Sequence, residues 1–124
     1  VLLSDESFRD LRFTKFPGGG LEFGEGITDC LKREFMEEFN LEIEVGDLFY
    51  LTDYFQVSAF SEKDQVISIY YRIRADLNNL DRLISTHNGA EKLHWVPLSD
   101  LSEASVTLPI DKIVAGKLRG YSFT

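Results

Sequence analysis

The sequence predicts a mixed α/β layered fold that occupies one domain, residues 1–124. Three features support this prediction: a glycine-rich segment followed by an amphipathic helix, a long pair of β-branched and aromatic stretches, and a final helix with proline in its first turn. With 124 residues and 44% hydrophobic side chains, the chain is long enough and apolar enough to bury its own core.

The N-terminal part reads as a strand end, a loop and a glycine-rich segment. Residues 1–3, Val-Leu-Leu, are typical of a strand, and we expect that strand to begin before the given sequence. Residues 4–14 are mixed and polar, which predicts a loop. The segment from Lys15 to Gly26 holds five glycines and a proline, a composition that excludes a regular helix.

One amphipathic helix is predicted from Asp29 to Phe39, a stretch without glycine or proline. Thr28 is the expected N-cap, and Asn40 is expected to end the helix because asparagine tolerates the left-handed conformation. The apolar face is formed by residues at every fourth position: Leu31, Phe35 and Phe39.

In the middle of the chain, apolar and polar residues alternate with the two-residue period of a β-strand. Alternation predicts a strand over residues 41–45, broken by Gly46-Asp47. Residues 48–60 and 65–75 are rich in β-branched and aromatic side chains and predict a hairpin closed by the polar turn 61–64.

Three short elements are predicted near the C-terminus. Residues 93–96 form a strand stopped by Pro97, and residues 98–101 form one helical turn. The last helix runs from Pro109 to Leu118, with proline at its first position.

Charge and composition exclude several classes of protein. A formal net charge of −8 argues against nucleic-acid binding, since no basic surface would replace counterions. No apolar run is long enough to span a bilayer, so no membrane partner is expected. The single cysteine, Cys30, fits a reducing cytoplasm, and we predict a cytoplasmic protein. An acidic protein can still act on anions if it recruits cations, which points to a metal.

Three carboxylates share one edge of the predicted helix. With about 100° per residue, Glu37 and Glu38 fall on either side of Glu34. Such crowding is unfavourable unless a cation relieves it, and carboxylate oxygens suit Mg²⁺ or Mn²⁺. Arg33 lies one turn before Glu37, at the spacing of a helical ion pair. Taken alone, the three glutamates also fit a solvated acidic face.

The spacing of these residues resembles the Nudix box. Gly19 is followed after five residues by Glu25 and after seven more by Arg33-Glu34, and the run continues to Glu37-Glu38. The preceding residues from Pro17 match the usual lead-in of that motif. Two positions depart from it: Asn40 stands where the box has glycine, with a compatible backbone geometry, and an aromatic residue, Phe35, fills an aliphatic position.

The resemblance to the Nudix hydrolase family implies a fold and an activity. The expected fold is an α/β/α sandwich with a mixed central sheet. The expected function is a pyrophosphohydrolase that uses Mg²⁺ or Mn²⁺ to cleave a phosphoanhydride bond of a nucleoside diphosphate derivative, such as a nucleoside triphosphate or nucleotide sugar. Many members dimerise, and the apolar stretch 48–60 is then the candidate interface of a homodimer.

The resemblance also implies a role for each matched residue. Glu37 and Glu38 would be the central metal ligands, and Glu34 a further ligand or the base that orients water. The Gly18 carbonyl would complete the metal shell. Arg33 and Glu25 would position the carboxylates. An acid from a later loop often joins such a site, and Glu91 is the candidate here; weaker candidates are Asp53, Glu62 and Asp64.

Several other side chains could serve either a functional or a structural role. Several aromatics could stack on a base, although aromatics at strand spacing more often belong to a core: Phe13, Phe16, Tyr54, Tyr70 and Tyr71. The main functional alternative is a Nudix-like domain that binds a nucleotide or sugar-nucleotide as a regulatory sensor without turnover. A second alternative, isomerisation of a prenyl diphosphate, needs a reactive cysteine, and Cys30 inside the helix is poorly placed for it.

Overall fold

The computed structural model describes residues 1–86 and 92–121. It contains both strands and helices, which confirms the mixed α/β class. The elements in chain order are β1 (Leu2–Phe8), β2 (Leu11–Lys15), α1 (Ile27–Phe39), β3 (Glu44–Leu51), β4 (Ile69–Arg74), α2 (Leu77–Thr86), β5 (Lys92–Trp95) and α3 (Pro109–Arg119), with single 3₁₀ turns at Leu98–Asp100 and Glu103–Ser105.

The strands form two antiparallel groups in the described part of the chain. One is a three-stranded sheet with the order β2-β1-β5, and the other is the pair β3-β4. The prediction of a loop over residues 4–14 is wrong, because these residues form most of the β1–β2 hairpin. Its turn residues, Arg9 and Asp10, both have positive φ angles, 49° and 68°. That is the geometry of a tight hairpin turn, here made without the glycine that usually signals it.

Helix α1 confirms the amphipathic prediction with a small change at its start. Gly26, and not Thr28, is the N-cap residue, and no side chain caps the helix. Asn40 ends it in the left-handed conformation, with φ 49° and ψ 41°. Its N–H donates to the Met36 carbonyl at 3.0 Å. Asparagine therefore supplies at this position the geometry for which glycine is usual.

The predicted hairpin of residues 48–60 and 65–75 is confirmed only in part, because its first strand begins earlier and ends at Leu51, and its second strand begins only at Ile69. Strand β3 starts at Glu44 and runs through Gly46-Asp47, so the predicted break there is wrong. The register with β4 shifts between Val45 and Leu48, which lets the strand continue past the glycine as an irregularity. An isolated bridge between Val57 and Gln65 extends the hairpin toward its tip.

Helix α2 was not predicted, although the sequence contains its start signal. The Asp76 side chain accepts hydrogen bonds from the backbone N–H groups of Asn78 and Asn79, at 2.9 and 3.3 Å, as an N-cap does. Leu80 lies on the buried side of this helix, with 5% of its surface exposed. The final helix α3, with proline in its first turn, confirms the prediction.

The three-stranded sheet separates two apolar clusters, because successive side chains of a strand point to opposite faces. Leu3 belongs to the cluster beneath α3, and its neighbour Leu2 packs against the cluster beneath α1. The α3 cluster contains Leu3, Leu101, Val106, Val114, Ala115 and Leu118. The α1 cluster contains Phe35, Phe39, Leu41, Ile43, Leu80 and Leu93. Helices thus cover both faces of the sheet. Within the described residues, none of the helices is long and apolar enough to cross a bilayer.

Candidate active site

A cleft of about 1370 Å³ opens between the glycine-rich segment, α1, β4 and α3. Helix α1 contributes Glu34 and Glu38 to its wall, and the glycine-rich segment contributes Gly18. Tyr70 of β4 and Asp111 of α3 line another part of the same cleft. Carboxylates of the predicted site therefore share one cavity with aromatic and polar side chains suited to an organic ligand.

Arg33 joins the glycine-rich segment to the carboxylates of α1. Its Nε and Nη2 atoms donate to the two carboxylate oxygens of Glu25, at 2.9 and 2.8 Å. Nη2 also donates to the Gly20 carbonyl at 3.1 Å. On the other side, Nη1 donates to Glu34 at 3.0 Å and to Glu37 at 3.1 Å. One guanidinium thus fixes a loop and two helix carboxylates at once, a task that requires its planar, multiple donors.

The ionisation of Glu25 follows from this contact. Hydrogen bonding to Arg33, helped by the Glu22 backbone, lowers the pKa of Glu25 to about 2. The same carboxylate raises the pKa of Arg33 above its ordinary value. Glu25 therefore stays ionised and paired across the physiological range, as a positioning role requires.

Gly19 lies directly against the carboxyl group of Glu34. A Cβ atom placed on Gly19 would fall on the Glu34 carboxyl atoms. The close approach of loop backbone and helix side chain therefore depends on the missing side chain at this position. The Glu34 side chain is 14% exposed and points toward the loop, where it accepts the bond from Arg33.

The Gly18 carbonyl, predicted to bind metal, accepts a hydrogen bond from Lys15. The Lys15 ammonium lies 3.3 Å from that oxygen and 3.2 Å from the carboxylate of Glu6. Lys15 is the final residue of β2, so the strand delivers a positive charge to the mouth of the glycine-rich segment. A metal ion at the Gly18 oxygen would therefore have to displace the Lys15 ammonium or share the oxygen with it.

The oxygen donors that line the cleft are of the chemical type that a hard divalent cation prefers. Glu34, Glu38 and the Gly18 carbonyl offer only oxygen atoms, and Mg²⁺ commonly takes a small number of carboxylates and completes its shell with water. Glu37 lies on the outer side of α1, with 61% of its side chain exposed and its carboxylate on Arg33. Among residues 1–86 and 92–121, no three acidic, histidine or cysteine side chains converge into a metal-binding group.

The remaining candidates are spread over the structure. Glu91 lies outside the described residues. The three weaker acidic candidates are exposed on the β3–β4 hairpin: Asp53, Glu62 and Asp64. Among the aromatic candidates, four line the cleft: Phe13, Phe16, Tyr70 and Tyr71. Tyr54 is instead 40% exposed, and its hydroxyl lies 3.1 Å from that of Tyr50.

Cys30 is placed as an inert thiol. Its Sγ donates to the Gly20 carbonyl at 3.4 Å, and 5% of the residue is exposed. Burial, followed by the neighbouring Glu25, raises the pKa of this thiol. A thiol that resists ionisation is a poor nucleophile or acid–base group, which agrees with the expectation that Cys30 is poorly placed for isomerase chemistry.

Asp111 is the cleft residue that sequence reasoning missed. It lies in the first turn of α3, and 5% of its surface is exposed. A signal was available, because Asp111 is spaced by three, four and seven residues from Val114, Ala115 and Leu118, all buried. An acid on the apolar face of a helix is unusual enough to mark a site.

Comparisons with known proteins identify the family and the fold of this chain. The family model described as NUDIX domain matches residues 1–116. A solved MutT structure, from a study of MutT from Aliivibrio salmonicida and Vibrio cholerae, superposes with a TM-score of 0.56 at 17% identity. It covers 96% of this chain and 84% of the MutT chain. At that identity the likeness concerns the fold.

The fold and the site together define a Nudix domain, and the chain belongs to the Nudix family. The predicted class of enzyme, a Nudix hydrolase acting on phosphorus-containing anhydrides, is confirmed with it. The predicted sandwich of helices about a sheet is also confirmed.

Proposed function

We propose that this protein is a Mg²⁺- or Mn²⁺-dependent pyrophosphohydrolase that cleaves a phosphoanhydride bond of a nucleoside diphosphate derivative. The observation that carries the proposal is the Arg33 network, which holds the loop and the helix carboxylates together beside the cleft. A protein that only sensed a nucleotide would have no need to keep this complete arrangement of acids.

Each residue then has a task in the reaction. Glu34 and Glu38, with the Gly18 carbonyl, would hold the cation, and Glu37 would join them if its carboxylate turned from Arg33 to the cleft. A cation held by these residues would neutralise phosphate charge and lower the pKa of a coordinated water. Arg33 and Glu25 keep Glu34 oriented, so that little rearrangement is needed when substrate arrives.

The test is metal-dependent turnover of a substrate panel. Phosphate and pyrophosphate release would be measured from nucleoside triphosphates, nucleotide sugars, ADP-ribose and dinucleotide polyphosphates, with Mg²⁺, with Mn²⁺ and with chelator. We expect turnover that chelator abolishes and that Glu38→Gln lowers by at least about a hundredfold. Glu44→Gln, which changes an exposed acid on β3, is the matched control.

The sensor alternative predicts a different outcome of the same experiment. Silence across the panel, together with nucleotide binding by calorimetry, would replace the hydrolase proposal with a regulatory binding domain. Full activity of Glu38→Gln would instead refute the metal assignment. The single domain, the Glu91 ligand, the homodimer through residues 48–60 and the cytoplasmic location stay predictions.

A further inference from the structure

The Gly18 carbonyl, which the proposed function assigns to a metal ion, is in contact with a positively charged side chain. The Lys15 ammonium donates to this oxygen at 3.3 Å and lies 3.2 Å from Oε2 of Glu6. The side chains of Lys15 and Glu6 are 18% and 16% exposed, and all three residues line the cleft. The ammonium therefore uses the oxygen that a divalent ion would need.

The β1–β2 hairpin builds this contact. Its register sets Ser4 opposite Lys15, and Glu6 follows two residues later in β1, on the same face of the sheet. The hydroxyl of Ser4, a residue that is 1% exposed, donates to Oε2 of Glu6 at 3.0 Å. Glu6 is thus fixed from the sheet, whereas Lys15 reaches it along a flexible four-carbon stem. The ammonium can therefore change its other partner while it stays paired with Glu6.

The Lys15 ammonium and a divalent ion would compete for the Gly18 oxygen. Both are positively charged and both would bind through the same atom, so they would lie within a few ångström of each other. Like charges repel at such a separation, and they do so more strongly in a cleft than in bulk water. Lys15 is therefore expected to leave the Gly18 oxygen when a divalent ion binds there.

A substrate phosphate offers the displaced ammonium a new partner. Arg33 is not available for this task, because its nitrogens are committed to Glu25 and Glu34. Ligands of one Mg²⁺ ion lie within about 4 Å of one another, since each is about 2.1 Å from the ion. A phosphate oxygen that shares an ion with the Gly18 carbonyl would then be within reach of Lys15 by rotation of its side chain alone.

We propose that Lys15 exchanges partners when metal and substrate bind: its ammonium leaves the Gly18 carbonyl to a divalent ion and moves to a phosphate oxygen, with Glu6 as its pivot. The proposal rests on the proposed function, since it takes a divalent ion at Gly18 and a diphosphate beside it. It adds a phosphate-binding residue. It also gives that residue a second effect, which is to weaken metal binding while no phosphate is present.

The first measurement is the binding of Mn²⁺ alone, followed by the loss of its electron paramagnetic resonance signal. Lys15→Met removes the competing charge and keeps a long side chain. We expect the Kd of Mn²⁺ to fall by at least about threefold, because the ion no longer has to displace an ammonium. The difference between the two proteins should shrink at high ionic strength.

The second measurement is the binding of methylenediphosphonate, a diphosphate analogue with a non-hydrolysable bridge, by calorimetry with saturating Mg²⁺. Lys15→Met now lacks a charge-assisted hydrogen bond to phosphate, so the Kd should rise by at least about tenfold. A residue with a purely structural role would weaken both kinds of binding when it is replaced. Opposite shifts of the two Kd values are therefore specific to the exchange of partners.

Two further variants control for net charge and for folding. Lys63→Met removes the same charge from the exposed polar turn 61–64, and it should change either Kd by less than about 1.5-fold. Thermal unfolding shows whether each variant is folded. If Lys15→Met is not, Lys15→Gln, which also removes the charge, decides the matter.

The outcomes distinguish this inference from the proposed function. A Kd of Mn²⁺ that stays the same or rises in Lys15→Met would overturn the inference, as would an unchanged Kd of methylenediphosphonate or an absence of Mn²⁺ binding in both proteins. Turnover that chelator abolishes would leave the hydrolase standing in the first two of these cases. The two opposite shifts in a protein without turnover would support the inference and reject the hydrolase.

Discussion

Gly19 and the carboxyl group of Glu34 are packed so closely that a side chain on the glycine would take the place of that carboxyl. The backbone of Gly19 does not need a positive φ angle, since none is found there. The glycine of the motif is therefore required for space around Glu34, and not for a special turn.

Gly19→Ala tests this relationship. We expect kcat to fall by at least about tenfold because the Glu34 carboxyl must move, while thermal stability changes little at this exposed position. Gly20→Ala is the comparison, because a Cβ there meets nothing within 4 Å. Equal activity of the two variants would show that the space beside Glu34 is unimportant.

Arg33→Lys tests the network that joins loop and helix. Lysine keeps the charge but cannot bond Glu25 with two atoms while also reaching Glu34, so we expect activity to fall by about 10–100-fold. The melting temperature should fall as well, because the loop loses its anchor. Lys32→Met, at the exposed neighbouring position, serves as the control, and normal kcat in Arg33→Lys would contradict the assigned role.

The depressed pKa of Glu25 predicts how stability depends on pH. The ordinary value is 4.5 and the folded value is about 2, so the carboxylate stabilises the fold fully above pH 4.5 and this contribution disappears as pH falls toward 2. The difference in unfolding free energy between the native protein and Glu25→Gln should be constant from pH 7 to about 5. It should then shrink at lower pH. A difference that is flat over the whole range would exclude the pairing.

The buried position of Cys30 predicts that its thiol does not react in the folded protein. With its pKa raised and 5% of its surface exposed, it should resist alkylation in the folded protein and react fully in denaturant. Cys30→Ala should retain turnover and lose about 1 kcal/mol of stability. Loss of activity without loss of folding would reopen the isomerase alternative.

Substitutions at two adjacent residues of α1 are expected to change stability by very different amounts. Phe35 is 2% exposed in the cluster beneath the helix, so Phe35→Ala should cost about 3–5 kcal/mol in urea unfolding. Met36 is 46% exposed, and Met36→Ala should change stability by less than about 0.5 kcal/mol. Similar losses for the two variants would mean that α1 buries a different face.

The sequence was most informative where several local signals agreed. Helix α1 had periodic apolar residues, no glycine or proline, and an asparagine at its end. The structure confirms the helix, the burial of Phe35 and Phe39, and the left-handed conformation of Asn40. The carboxylates were identified because their spacing matched a motif. Their contacts with the loop, above all Gly19 against Glu34, depend on tertiary geometry that spacing alone does not contain.

The features that the sequence did not predict, or predicted wrongly, also have physical explanations. The β1–β2 hairpin turns through Arg9 and Asp10 in left-handed conformations, which two non-glycine residues rarely share. Strand β3 continues past Gly46 because its register with β4 shifts there, so a residue that usually ends a strand is tolerated. Asp111 was overlooked because an acid in the first turn of a helix is ordinary on the surface, and only its neighbours reveal that it is buried.

Helices α1 and α3 lie on opposite faces of the sheet and are more than 60 residues apart in the chain, yet both reach the same cleft. Substitutions near Asp111 therefore act through a different core cluster from those near Glu34. Effects on separate clusters are expected to add, and not to interfere. A change in the packing of the last helix can therefore be accommodated without displacing the carboxylates of the first helix.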